Sequence, residues 1–127
     1  MSTRRRRDDR GSVTLEFAIV VPAVLTLIFI CIQVALYSYA RSVALTAAEE
    51  AVNAQRVYGA PAGAGRDRAD HVLTTQKDAL VGWKVTVTRS AGRVQVTVTG
   101  RSLSVFPGVK GYSVSQTASG PVERFVP

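Results

Sequence analysis

Between Phe17 and Ile32 the chain reads FAIVVPAVLTLIFICI, with no charge and a single hydroxyl, Thr26. Apolar character resumes after Gln33 and runs through VALYSYA to Ala40. A helix of about 20 mostly apolar residues crosses ~30 Å of hydrocarbon, and Phe17 to Tyr39 meets that length. The pattern predicts a membrane-spanning helix over residues 12–40, with Tyr37 and Tyr39 where an aromatic belt meets the far interface. Pro22 lies inside it. Proline removes a backbone donor and frees the carbonyl four residues back, that of Ala18, so a kink is expected there. Membrane helices tolerate such prolines where neighbouring groups satisfy the freed carbonyl. The Thr26 hydroxyl is placed to bond back to a carbonyl of its own helix.

Beyond the apolar run the period stays helical. Residues 41–58, RSVALTAAEEAVNAQRVY, hold no glycine or proline. Val43, Ala47 and Ala51 form one i, i+4 stripe, with Ala44, Ala48 and Val52 beside it. The span therefore continues outward as helix. Two partners fit the small-residue stripe: neighbouring helices, which approach closely over small side chains, or a sheet of the same chain. Residues 59–65, GAPAGAG, break the helix and read as a flexible linker. A second short helix is expected over Arg66–Val81, with Ala69, Val72, Leu73 and Leu80 as its apolar positions. Then the period becomes two. Trp83, Val85 and Val87 alternate with polar residues, Ser90-Ala91-Gly92 turns the chain, and Val94, Val96 and Val98 alternate again, a hairpin pattern. Ser102–Phe106 and Tyr112–Ala118 read as two further strands around a Pro107-Gly108 turn. Residues 66–119 are thus a small domain, and 120–127 an irregular tail. The fold class is an α+β membrane protein: one long N-terminal transmembrane helix extending outward, then a small antiparallel sheet. A lone hairpin is marginally stable, so the sheet needs a helix packed on one face.

Charge sets the orientation. The chain has 127 residues and a formal net charge of +7. Arg4, Arg5, Arg6, Arg7 and Arg10 precede the apolar run, whereas only Arg41 follows it closely. The positive-inside rule places residues 1–11, a basic leader, in the cytoplasm and the C-terminus outside, in a single-pass cell-membrane topology. The remaining basic residues are scattered among acids, with no zinc-finger spacing or aromatic RNA-binding motif, so nucleic acid is not an expected partner. The one cysteine, Cys31, excludes an internal disulfide and reads as a small apolar residue of the span. The one histidine, His71, has no ligand partners at metal spacing and reads as a surface residue. No phosphate loop or nucleophile–base constellation is present. No enzyme activity, cofactor, metal or small-molecule substrate is expected.

Glu16 is an acid at the rim of the span. Intramembrane acids are costly and mark functional sites. An acid in the first turns after an N-cap such as Ser12 also complements the helix dipole, and both readings fit the position. The longer string distinguishes them. Gly11-Ser-Val-Thr-Leu-Glu-Phe17, behind a basic leader and before an apolar helix, resembles the processing junction of type IV pilin-like proteins. That resemblance implies a prepilin peptidase cutting between Gly11 and Ser12, with Glu16 at the fifth position of the mature chain. The new α-amine of Ser12 would lie one helical turn from Glu16. A buried charge is tolerated when paired. Glu16, next to Phe17, would therefore pair with its own or a neighbouring subunit's amine and set the stagger of packed helices. The fuller form, RGS…EFAIVVPAVLTLIF followed by an alanine-rich helix, is similar to the TadE-like proteins, pseudopilins of the tight-adherence (Tad/Flp) pilus and secretion machinery. The implied partners are the peptidase, other pilin-like subunits, the Tad assembly machinery with its cytoplasmic ATPase, and membrane lipid. Two other readings compete. One is an uncut single-span binding module. The other is a small secreted protein released after Ala40, against which stand the length of the apolar stretch and the acid at its start.

Overall fold

The apolar run and the alanine stripe lie on one helix, α1 (Ser2–Gln55). It is followed by α2 (Ala64–Thr75), β1 (Leu80–Ser90), β2 (Arg93–Ser102) and β3 (Ser113–Pro121). The structure, a computed structural model, describes residues 2–123, with side chains from Gly11 onward. Met1, the side chains of the basic leader and tail residues 124–127 lie outside the described residues. The chain divides into two units, Met1–Ile32 and Gln33–Pro127. The division falls inside the stretch expected to span the membrane.

In the first unit every described side chain, from Gly11 to Ile32, is exposed. The helix continues on both sides of Pro22, and the Thr26 hydroxyl donates to the Pro22 carbonyl at 2.7 Å. That is the back-bond expected of Thr26. Among the described residues this is the one helix long and apolar enough to cross a membrane.

The second unit is built on the alanine stripe. Val43, Ala44, Ala47, Ala48, Ala51 and Val52 are all buried, together with Ala40. They join Leu73, Leu80, Val94, Val96, Val98 and Val114 in one apolar cluster. Of the two partners open to the stripe, the chain's own sheet takes it. Small side chains let the helix lie close to that sheet, to the point where a Cβ at Gly120 would meet Val52 at 3.0 Å.

The sheet is antiparallel in the order β1-β2-β3. Ala91 and Gly92, both with positive φ, make the two-residue turn whose twist matches the flanking strands. Val85 pairs with Val98, and Val87 with Val96. The β1–β2 register shifts by one residue between Val81 and Lys84, where Gly82 adopts φ +62°. This is a bulge of the glycine type. The extra residue brings Leu80 and Trp83, three apart, onto the same packed face.

Two expectations are corrected. The second helix runs Ala64–Thr75, not Arg66–Val81, so the last two residues of the expected 59–65 linker belong to it, with Gly65 buried. Leu80 and Val81 pair with Ser102 and Arg101 instead, so the sheet ladder claims residues that a helical pattern also fitted. Ser102–Phe106 is not a strand beyond Ser102, because the Leu103 carbonyl and Val105 N–H bond to the side chain of Gln33. The sheet therefore has three strands. At the expected tail, residues 120–121 belong to β3. Glu123 N–H donates to the Arg56 carbonyl at 2.8 Å.

Candidate functional site

Gly11, Ser12, Glu16 and Phe17 all lie within α1, with exposed side chains. The helix begins at Ser2, so Ser12 is not an N-cap and Glu16 lies beyond the first turn. Helix-dipole effects fade within that turn. The capping explanation of Glu16 therefore fails for the uncut chain. A Cβ placed on Gly11 meets nothing within 4 Å, and its φ is not in the left-handed region. A glycine inside a helix costs about 1 kcal/mol relative to alanine, and no crowding or turn within the chain requires it here. Ser12 and Glu16 are one helical turn apart, about 6 Å along the axis. Cys31 and His71 are exposed.

Two polar side chains that the residue pattern did not single out hold the second unit together. Gln33 is 7% exposed. Its amide donates to the Leu103 carbonyl at 2.9 Å and accepts from Val105 N–H at 3.1 Å. A lone amide interrupting an otherwise apolar run is the signal that would have marked it. Gln55 is wholly buried. It donates to the Pro61 carbonyl at 3.0 Å and accepts from Gly65 N–H at 2.9 Å. Gly63, at the N-cap of α2, makes no side-chain cap bond, so Gln55 caps α2 from the preceding helix. Its one sequence cue is that it continues the Val43-Ala47-Ala51 stripe at i+4, a polar residue on the buried face.

These features define an α+β chain with one exposed apolar helix suited to membrane anchoring and a small helix-backed sheet. Residues 11–53 match the family model described as TadE-like protein, the family that the Gly11–Phe17 junction resembles. The similarity opens on Gly11 and ends two residues before the end of α1. The sheet lies outside the match. Neither a curated protein nor a solved structure matches the chain.

Proposed function

We propose that the protein is a pilin-like, membrane-anchored structural subunit of a Tad-type pilus or secretion system, cut by a prepilin peptidase between Gly11 and Ser12. The observation that carries this is the TadE-like match opening on Gly11, a helical glycine that packing within the chain does not require. A peptidase that must approach the backbone closely supplies the missing reason, since glycine presents no side chain to obstruct it. Cleavage leaves Val13–Ile32, 20 exposed residues, or about 30 Å of helix, as the span. Pro22 is a point of bending within it. Ser12 becomes the new N-terminus, and Glu16 then stands one helical turn from its α-amine. Paired with that amine in its own or an adjacent subunit, the carboxylate is retained at the rim of the apolar region and sets helix stagger. The leader faces the cytoplasm and the sheet the opposite side. The partners are the peptidase, other pilin-like subunits, the Tad assembly machinery and membrane lipid.

Release after Ala40 fits poorly. It would remove Gln33 and Ala40, both buried in the second unit. The test is the N-terminus of the mature protein, read by mass spectrometry from its native host. Ser12 is expected. Met1 or Ser2 would establish the uncut anchor, and Arg41 the secreted form. Gly11→Val should abolish processing without disturbing the fold, since the position is open. Efficient cleavage of that variant would remove the assigned site.

A further inference from the structure

We propose that the loop joining β2 to β3, residues 103–112, is a second membrane contact that lies in the lipid headgroup region. The proposal rests on the reading of Val13–Ile32 as the membrane span.

The loop LSVFPGVKGY is built rather than slack. Its base is closed by Ser102 N–H donating to the Tyr112 carbonyl at 3.0 Å and by Tyr112 N–H donating to the Ser102 hydroxyl at 3.1 Å. Its tip is a turn closed by Val109 N–H on the Phe106 carbonyl, with Pro107 and a left-handed Gly108 at the two central positions. Those two residues suit a type II turn. This framework holds apolar side chains outward: Val109 is 59% and Tyr112 65% exposed, and Leu103 and Phe106 are also exposed. Clustered exposed apolar side chains on a small domain mark a contact surface.

Position along α1 identifies what covers the loop. The Gln33 amide grips the loop backbone at Leu103 and Val105. One turn further on, the Tyr37 ring meets Tyr112 edge-on, with centroids 6.1 Å apart. The loop is therefore fixed at the level of residues 33–37, and Gln33 directly follows Ile32, the last residue of the exposed apolar run. That level is where a span leaves hydrocarbon and where amphipathic tyrosines concentrate. Charge agrees: Arg101 and Lys110 flank the apolar tip, and no acid occurs between Arg93 and Glu123. Lysine beside apolar groups lays its stem on them and keeps its ammonium among headgroups, and basic residues near an anionic surface are attracted to it.

The test uses the full-length protein in phosphatidylcholine/phosphatidylglycerol vesicles, with an environment-sensitive fluorophore on a single cysteine. Three positions are compared: native Cys31 in the span, Val109→Cys in the loop and Ser90→Cys at the β1–β2 turn, the last two in a Cys31→Ser background. Ser90 lies at the other end of the hairpin, about 30 Å from Ser102 by strand rise. Unchanged Trp83 emission certifies the fold of each variant. Quenching by a nitroxide lipid labelled near the headgroup should be several-fold stronger at Val109 than at Ser90, with Cys31 quenched by chain-labelled lipid. Lipid quenching at Cys31 but only iodide quenching at Val109 would overturn the loop contact and leave the anchor standing. Protection of Val109 from both quenchers would overturn it in favour of a protein–protein contact. Absence of lipid quenching at Cys31 as well as Val109 would overturn both readings together.

Discussion

Gln55 offers the sharpest test of how the second unit is held. Its side chain is fully buried and makes two hydrogen bonds to backbone, at 3.0 Å to the Pro61 carbonyl and 2.9 Å from Gly65 N–H. The backbone at Gly65 lies so close to α1 that a Cβ there would stand 3.0 Å from the Ala51 carbonyl and 3.1 Å from the Gln55 Cβ. In Gln55→Ala both bonds vanish, and a buried N–H in the first turn of α2 loses its cap. Each hydrogen bond is worth about 0.5–1.5 kcal/mol net, and an unsatisfied buried group costs about 1–3 kcal/mol. The expected loss is about 2–4 kcal/mol, a large share of the roughly 5–15 kcal/mol that holds a typical domain together. With a urea m-value of about 1–2 kcal/mol/M for a unit of this size, the midpoint should fall by about 1–4 M. Trp83, the sole tryptophan, packs against the core, so its fluorescence in the detergent-solubilised full-length protein follows the transition. Gln55→Leu nearly preserves volume but removes both bonds. It should lose most of the same stability, which separates the hydrogen bonds from the cavity. A midpoint for Gln55→Ala within about 0.3 M of wild type would refute the capping role.

Four further outcomes are expected. Ala48→Leu adds three carbons at a position with no exposed surface and should destabilise the second unit by about 1–3 kcal/mol; an unchanged urea midpoint would show that the alanine face is not core. Gly111→Ala drives its Cβ into the Ser102 carbonyl and should cost at least about 2 kcal/mol, again read by Trp83 emission. Ala91→Asn, at φ 50° in the two-residue turn, should gain up to about 1 kcal/mol, because asparagine tolerates the left-handed region better than alanine; thermal unfolding by circular dichroism checks it. Glu16→Ala should leave cleavage at Gly11 largely intact and impair incorporation into assembled structures, measured by mature N-terminus and by sheared-surface or complex fractions. Normal incorporation would count against amine pairing.

What was legible in the chain tracks the range of the interactions responsible. The exposed apolar helix is written in 16 uninterrupted residues from Phe17 to Ile32, because lipid solvation is a property of each side chain. The β1–β2 hairpin is equally local, since Val85, Val87, Val94, Val96 and Val98 carry the alternation and Ala91-Gly92 the turn. The alanine stripe was visible, but its partner was not, because small residues serve helix–helix and helix–sheet contacts alike. Ser102–Phe106 failed as a strand for a non-local reason: its hydrogen bonds go to Gln33, some 70 residues earlier. Leu80 and Val81 were drawn into the sheet by pairing with residues 101–102, which no helical periodicity could reveal. At the candidate site, Gly11 and Glu16 stand out only through the resemblance of the Gly11–Phe17 string, behind a basic leader, to a pilin-like junction. The Gln33 and Gln55 clamps leave only a positional cue, since which backbone groups they hold is decided by tertiary folding.

Burial along α1 also constrains how copies of this chain can associate. On the function proposed above, subunits would pack through α1, and a small-residue stripe is the surface on which close helix contact would first be sought. Here that stripe, from Ala40 to Val52, is already occupied by the chain's own sheet and by α2 residues such as Leu73. Opening it to a neighbour would expose the apolar cluster, at a cost of about 25 cal/mol for each Å² returned to water. The helix surface left for a second subunit is therefore Val13–Ile32, where every side chain is exposed, and the outer face beyond it, where Val34, Tyr39 and Leu45 remain accessible. Glu16 and Phe17 lie on the first of these surfaces. The two roles proposed for α1 are thus separable by mutation. Changes at Ala44, Ala47, Ala48 or Ala51 should act on the fold of the second unit, whereas changes between Glu16 and Ile32 should act on the proposed insertion and association and leave that fold intact.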